Sequence, residues 1–134
     1  MTTTTEKKTL QLTVVAALAL GTQLEGGTFQ GIVTLPNGTH AAIVLLADKP
    51  DKLLTFEQAK AWAESVDGEL PARPAYAVLF ANAKDQFEER WHWTCEPFGG
   101  SGAWMQFFGD GCQDWSYVST KYCARAVRMI PLSL

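Results

Sequence analysis

TFEQAKAWAESVDGELPARPAYAVLFAN, residues 55–82, reads as two helices joined by a short extended link. Thr55 stands where a side-chain oxygen can cap the first helix. Gln58, three positions on, can return a bond to the cap's own N–H, a capping box. Phe56, Ala59, Ala63 and Val66 fall on one face at helical spacing, and Gly68 offers a left-handed stop, so the spacing predicts a helix over Thr55–Val66. Pro74 suits the first turn of a second helix, which runs to about Asn82 with Ala75, Val78 and Leu79 on its buried stripe. Glu69-Leu70-Pro71 is the extended link.

Upstream lie two β-rich runs, Thr28–Leu35 and Thr39–Ala47, on either side of Pro36-Asn37-Gly38. Asn-Gly tolerates the positive φ angles of a type I′ turn, which predicts a hairpin. Gly21–Gly27 reads as a turn region and Asp48–Leu54 as a polar connector. In Leu10–Leu20, Leu10, Leu12, Val14, Ala16, Leu18 and Leu20 recur at every second position, the period of a strand. Met1–Lys8 is polar, Thr-rich and expected to be loose. Downstream, Trp91–Thr94, Ala103–Phe108 and Cys123–Ile130 read as strands, Glu96–Gly102 as a glycine-rich loop and Gly109–Gly111 as a turn. Strands, two helices, then strands predict an α+β domain, its helices packed on one antiparallel sheet built from both ends of the chain. A length of 134 residues predicts one domain over 1–134.

Acidic side chains number 14 and basic ones 11, a net charge of −3, which excludes a footprint for nucleic acid or anionic lipid. Lys7 and Lys8 before the apolar run, with Ala17-Leu18-Ala19 after it, imitate a secretory leader, but the strand period opposes a cleaved signal and the run is too short to span a membrane as a helix. The three cysteines, Cys95, Cys112 and Cys123, are odd in number and lack a C-x-x-C spacing, which favours free thiols over a disulfide framework or a zinc module. A Cys112–Cys123 bridge would need two strands to bring them together. His92-x-x-Cys95 offers two zinc ligands with no second pair to follow, and His92 is expected to face outward between Trp91 and Trp93. Arg125 and Arg128 are a weak cue for phosphate. On a terminal strand they are expected to pair with carboxylates or cover the sheet edge. No Ser or Cys has a visible base partner, so no catalytic residue, metal or cofactor is predicted.

Gly68-Glu69-Leu70-Pro71-Ala72-Arg73-Pro74, followed by Leu79-Phe80-Ala81-Asn82, resembles the G-x-L-P-T-R … L-x-A-N stretch of a bacterial and phage domain family of uncharacterised function. Trp91-His92-Trp93-Thr94, Ala103-Trp104-x-Gln106-x-Phe108 and Ala124-Arg125-Ala126-Val127-Arg128 match its later strands, and the match covers Gly26–Leu132. The family is similar to the C-type lectin fold in the variant shared with formylglycine-generating enzymes. Some members look like the variable proteins of diversity-generating retroelements, including receptor-binding proteins of phage tail tips. The resemblance implies a scaffold over 26–134 that displays changeable residues in 95–123. Leu10–Leu20 carries apolar residues on both strand faces after Val14, so the N-terminal segment 1–25 is expected to pair within the sheet or with another subunit, as a trimer. It does not extend to enzyme chemistry, because no cysteine pair sits at the matching spacing and Glu96 lies beside Cys95. Nor does it extend to calcium-dependent sugar binding. Phe98 follows Glu96-Pro97 where lectins place an Asn ligand, and Asp110 and Asp114 are scattered.

Four of the five tryptophans lie beyond residue 90. Aromatic side chains give a large contact area at low entropy cost, and alternation along a strand can divide them between core and surface. The resemblance assigns Trp104, Gln106 and Phe108 to the buried face of their strand, leaving Ala103, Met105 and Phe107 outward. The expected ligand-binding set is Cys95, Glu96, Phe98, Ser101, Met105, Phe107, Asp110, Cys112, Asp114, Trp115 and Tyr117. Retroelement diversification can produce Cys95, Phe98, Phe107, Cys112 and Asp114 but not Glu96, Met105 or Trp115. The implied function is a phage receptor-binding or variable protein. The alternative is a structural virion protein of the decoration or fibre-tip type, and a formylglycine-generating type of enzyme comes after both. The expected partner is a host-surface receptor or another virion protein, and the expected location is the virion, or the host cytoplasm before assembly.

Overall fold

The structure is a computed structural model that describes residues 9–133, so Met1–Lys8, and with it the Lys7-Lys8 pair of the leader-like pattern, lies outside the described residues. Among the described residues eight strands form two sheets: β1 Leu10–Gln11, β2 Gln23–Leu24, β3 Gly27–Thr34, β4 His40–Leu45, β5 Trp91–Phe98, β6 Gly102–Phe107, β7 Gln113–Tyr117 and β8 Val127–Ser133. The larger sheet has the order β1-β8-β4-β3-β2 and the smaller one β5-β6-β7. The helices are α1 Leu12–Ala16, α2 Phe56–Ser65 and α3 Arg73–Ala83. The α+β class holds, and the larger sheet is built from both ends of the chain. Where one sheet was expected, however, the aromatic strands form their own. Among the described residues the pairings between these strands are antiparallel except the two-residue contact of β1 with β8, and an isolated parallel bridge joins His92 to Cys123.

The helices settle how the sheets are covered. One face of the larger sheet, with Val33, Ile43, Leu45 and Val127, packs on Ala75, Tyr76, Leu79 and Ala83 of α3. Phe87 and Phe108 join the same cluster, so α3 lies between the larger sheet and one face of the smaller one. The other face of the smaller sheet, with Trp93, Ala103 and Met105, packs on Phe56, Ala59 and Ala63 of α2. Tyr76 is fully buried and its hydroxyl donates to the Trp93 carbonyl at 3.0 Å, a core role that the Ala75/Val78/Leu79 stripe did not include.

The capping box forms as expected. Gln58 N–H donates to Thr55 Oγ1 at 3.3 Å, and Thr55 N–H donates to Gln58 Oε1 at 3.1 Å. Replacing Thr55 by Ala should therefore cost about 1 kcal/mol in urea unfolding, the usual loss for an N-cap. The helix ends one residue earlier than the glycine reading supposed. Asp67, not Gly68, holds the left-handed conformation, at φ 58°. Gly68 N–H donates to Ala63 O at 2.9 Å and Asp67 N–H to Glu64 O at 3.0 Å, which makes a Schellman stop. A Cβ on Gly68 would lie 3.0 Å from Val127 O, so glycine serves close approach to β8.

Two further expectations are corrected. The hairpin turn is not type I′. Gly38 N–H donates to Leu35 O at 2.9 Å, which places Pro36 and Asn37 in the middle of the turn, and only Gly38 takes a positive φ, 86°. Pro36 presets a negative φ, and Asn37 instead uses its side chain to accept from Thr39 N–H at 3.0 Å. Leu10–Leu20 is not one strand. After β1 the chain turns through α1, burying Val15 and leaving Val14 at 58% and Leu20 at 51% exposure. From Val14 to Leu20 every residue is apolar, so the period of two no longer selects a face, and Ala and Leu favour helix. Among the described residues no helix is long and apolar enough to cross a membrane.

Candidate functional site

Cross-strand register builds the site. Trp104 of β6 stands opposite Trp115 of β7, and Gly102 is opposite both Phe98 of β5 and Tyr117 of β7. Opposed residues share a face, so Phe98, Trp104, Trp115 and Tyr117 emerge on one side of the smaller sheet. This is the face α3 covers further along, where His92, Gln106 and Phe108 are buried. Past the first turn of α3 the cover ends and the aromatics meet solvent.

The rings form a continuous strip. Phe98 stacks on Trp115 at 5.0 Å between centroids, and meets Trp104 edge-on at 5.1 Å. Trp115 meets Tyr117 edge-on at 5.4 Å. Phe98 is 39%, Trp115 37% and Tyr117 58% exposed, while Trp104 is half-buried. Arg73, at the start of α3, lays its guanidinium over the Trp104 ring at 3.6 Å. Gln113 holds it there, accepting from Arg73 Nε at 2.8 Å and donating to Arg73 O and to Gln106 Oε1, each at 2.9 Å. Glu96 accepts from the Arg73 backbone N–H at 2.7 Å, so its carboxylate caps the positive end of α3. The chemistry is that of a contact surface, an apolar strip with a stacked cation at one edge.

The expected site residues divide. Phe98, Trp115 and Tyr117 come together on the strip, with Glu96 beneath its edge. Met105 is a correction: it is 3% exposed and packs in the core against α2. Phe107 shares that inner face and is half-buried against Trp91 at 5.2 Å. Trp104, assigned to the buried face, is instead the half-exposed platform for Arg73. Both faces of this strand are covered along part of their length, so alternation alone cannot say which side is core. Strand β5 runs on to Phe98, so the loop expected over Glu96–Gly102 narrows to Gly99–Ser101. Ser101 is exposed in that turn, and its carbonyl accepts from Val118 N–H. Asp110, Cys112 and Asp114 are exposed but not on the strip: Asp114 stands opposite Met105, on the other face, and Asp110 and Cys112 lie in the β6–β7 connection. Asp110 accepts from Cys112 N–H at 2.9 Å, and Asp114 covers the Trp115 N–H at 2.8 Å.

All three cysteines are free. Cys95 is exposed, yet packing around its sulfur and the neighbouring Glu96 and Glu69 carboxylates push its thiol up to about 11. The hydrogen bond and charge of Asp110 raise Cys112, and burial raises Cys123. At neutral pH these groups are thiols rather than nucleophilic thiolates. His92 is a correction: it is 2% exposed, not outward-facing, with Nδ1 2.9 Å from Arg90 O and its ring against Phe87 and Phe108. Arg125 and Arg128 are corrections too, for both bind backbone carbonyls rather than carboxylates. Arg128 donates to Asp67 O at 2.9 Å and Glu25 O at 2.6 Å, binding the end of α2 to the turn before β3.

Sequence reasoning missed Arg73, Trp104 and Gln113. Arg73 and Gln113 are 40 positions apart, and only the strand register joins them. No family model matches the chain, and no curated protein is significantly similar to it.

Proposed function

We propose that this chain is a binding module of C-type-lectin-like arrangement, a phage receptor-binding or variable protein that meets a host-surface receptor through the Phe98–Trp115–Tyr117 strip and is not an enzyme. The contiguous exposure of these rings carries the reading. Large apolar groups gathered at one surface mark an interaction site, whereas scattered ones do not. The Arg73 guanidinium fixed on Trp104 adds an oriented cation to the contact. The neutral thiols support a role in binding over one in nucleophilic catalysis.

The test pairs two measurements on Phe98→Ala, Trp115→Ala and Tyr117→Ala. Unfolding free energies should stay within roughly 1 kcal/mol of the parent, as at most surface positions. Binding to intact cells of candidate hosts should weaken by roughly 1–4 kcal/mol at aromatic hot spots. Variants that lose stability but keep binding would make these rings plain core and refute the display surface.

The exposed Val14 and Leu20 favour a second reading, a structural virion subunit that packs against copies of itself as a trimer. Sedimentation decides it: a stable monomer whose mass is unchanged by Val14→Ser or Leu20→Ser would remove this reading.

A further inference from the structure

A cleft that shares no lining residue with the aromatic strip opens between the connector 49–53, the start of β5 and the segment Cys123–Arg125. Its volume is about 170 Å³, below the range of drug-sized pockets. Lys49, Lys52, Arg90 and Arg125 line it against Asp51 and Glu88, a surplus of two positive charges in a chain whose net charge is −3. Glu88 lies 3.9 Å from Arg90 Nη1, and both side chains are more than half exposed, so the pair is well screened.

Arg125 makes the cleft more than a patch of lysines. It is 5% exposed, and its guanidinium lies 4.8 Å from the Phe87 ring centre. One terminal nitrogen donates to Gln86 O and the other to Leu46 O at 3.0 Å, while Nε is buried without a partner. No carboxylate pairs with it among the described residues. A buried cation without a counter-charge is strongly unfavourable. His92, on the same wall, adds no negative charge.

We propose that this cleft binds a small oxyanion of the phosphate class, whose charge offsets that of Arg125 and which Lys49 and Lys52 contact from the solvent side. Phosphate carries about −1.5 to −2 at pH 7, which matches the surplus. The ligand's source is either free inorganic phosphate or the phosphomonoester end of a larger molecule.

The experiment titrates the full chain with inorganic phosphate by calorimetry and thermal unfolding, with sodium chloride at equal ionic strength as reference. Phosphate should bind and raise Tm beyond the chloride reference. The double variant Lys49→Gln, Lys52→Gln alters exposed side chains and should fold normally while binding at least tenfold more weakly. Arg125→Lys should also lose phosphate, and if it does not fold the lysine pair carries the test. Glycerol phosphate, run in parallel, distinguishes the sources. Binding as tight as that of inorganic phosphate identifies a phosphomonoester end, and much weaker binding identifies the free ion. A phosphate effect no larger than that of chloride, or equal affinity in the lysine double variant, would overturn the site. Phe98→Ala should retain phosphate binding, which keeps this result separate from the receptor reading.

Discussion

Trp93→Ala should lower the unfolding free energy by about 3–5 kcal/mol, the cost of emptying a large aromatic site in a core. Trp93 is fully buried on the inner face of β5, with Phe56 at 5.5 Å and Tyr122 at 5.2 Å. Its indole N–H donates to Leu54 O at 2.8 Å, a second bond on a carbonyl that also accepts from Tyr122 N–H at 2.9 Å, so truncation removes ring contacts and one of the two bonds to that carbonyl. Domains are stable by only about 5–15 kcal/mol, so this single change brings the chain close to unfolding. Trp104→Ala is the informative contrast, because that ring is half-buried and rests under Arg73. Its loss should be clearly smaller than that of Trp93. Urea unfolding of the two variants side by side decides the matter, and equal losses would mean that the sheet faces are wrongly assigned.

The second large effect is acid destabilisation through His92. Burial first, with the Arg125 and Arg90 charges, lowers its pKa from 6.5 to about 4, against the opposing hydrogen bond to Arg90 O. The unfolded chain therefore takes up a proton between these values while the folded chain does not. Stability from the neutral ring is fully present above pH 6.5 and falls as pH drops toward 4, by about 3 kcal/mol. His92→Asn, which does not titrate there, should show a shallower decline over that window. Identical slopes for parent and variant would remove His92 as the cause.

What could be read from the chain was local. The Thr55–Gln58 box and the Pro74 helix start each need only a few neighbouring residues, and both helices stand within a residue or two of their expected bounds. The hairpin was legible in place but not in turn geometry, because Pro36 and Asn-Gly compete for the same four positions. The candidate site was half legible. Phe98, Trp115 and Tyr117 were marked by composition, but Met105 lies in the core and Trp104 is half-exposed, while Phe108 is buried as expected. Which face of β6 is core depends on helices distant in the chain, α2 and α3, and the alternating pattern is the same either way. The Arg73 stack on Trp104 was invisible for the same reason.

The order of the larger sheet bears on how the chain reaches its native state. Strand β8, residues 127–133, is inserted between β1 and β4 rather than added at an edge. A ribosome-bound chain can form the β3–β4 hairpin early, but β4 keeps an open side and β1 has no partner until residues 127–133 emerge. Contacts of such long sequence separation make folding slow, on the order of milliseconds to seconds. Until then the open side of β4 is a template for intermolecular pairing. A cut before Val127 would therefore split the sheet rather than trim a tail, and the product should aggregate instead of folding as a smaller domain.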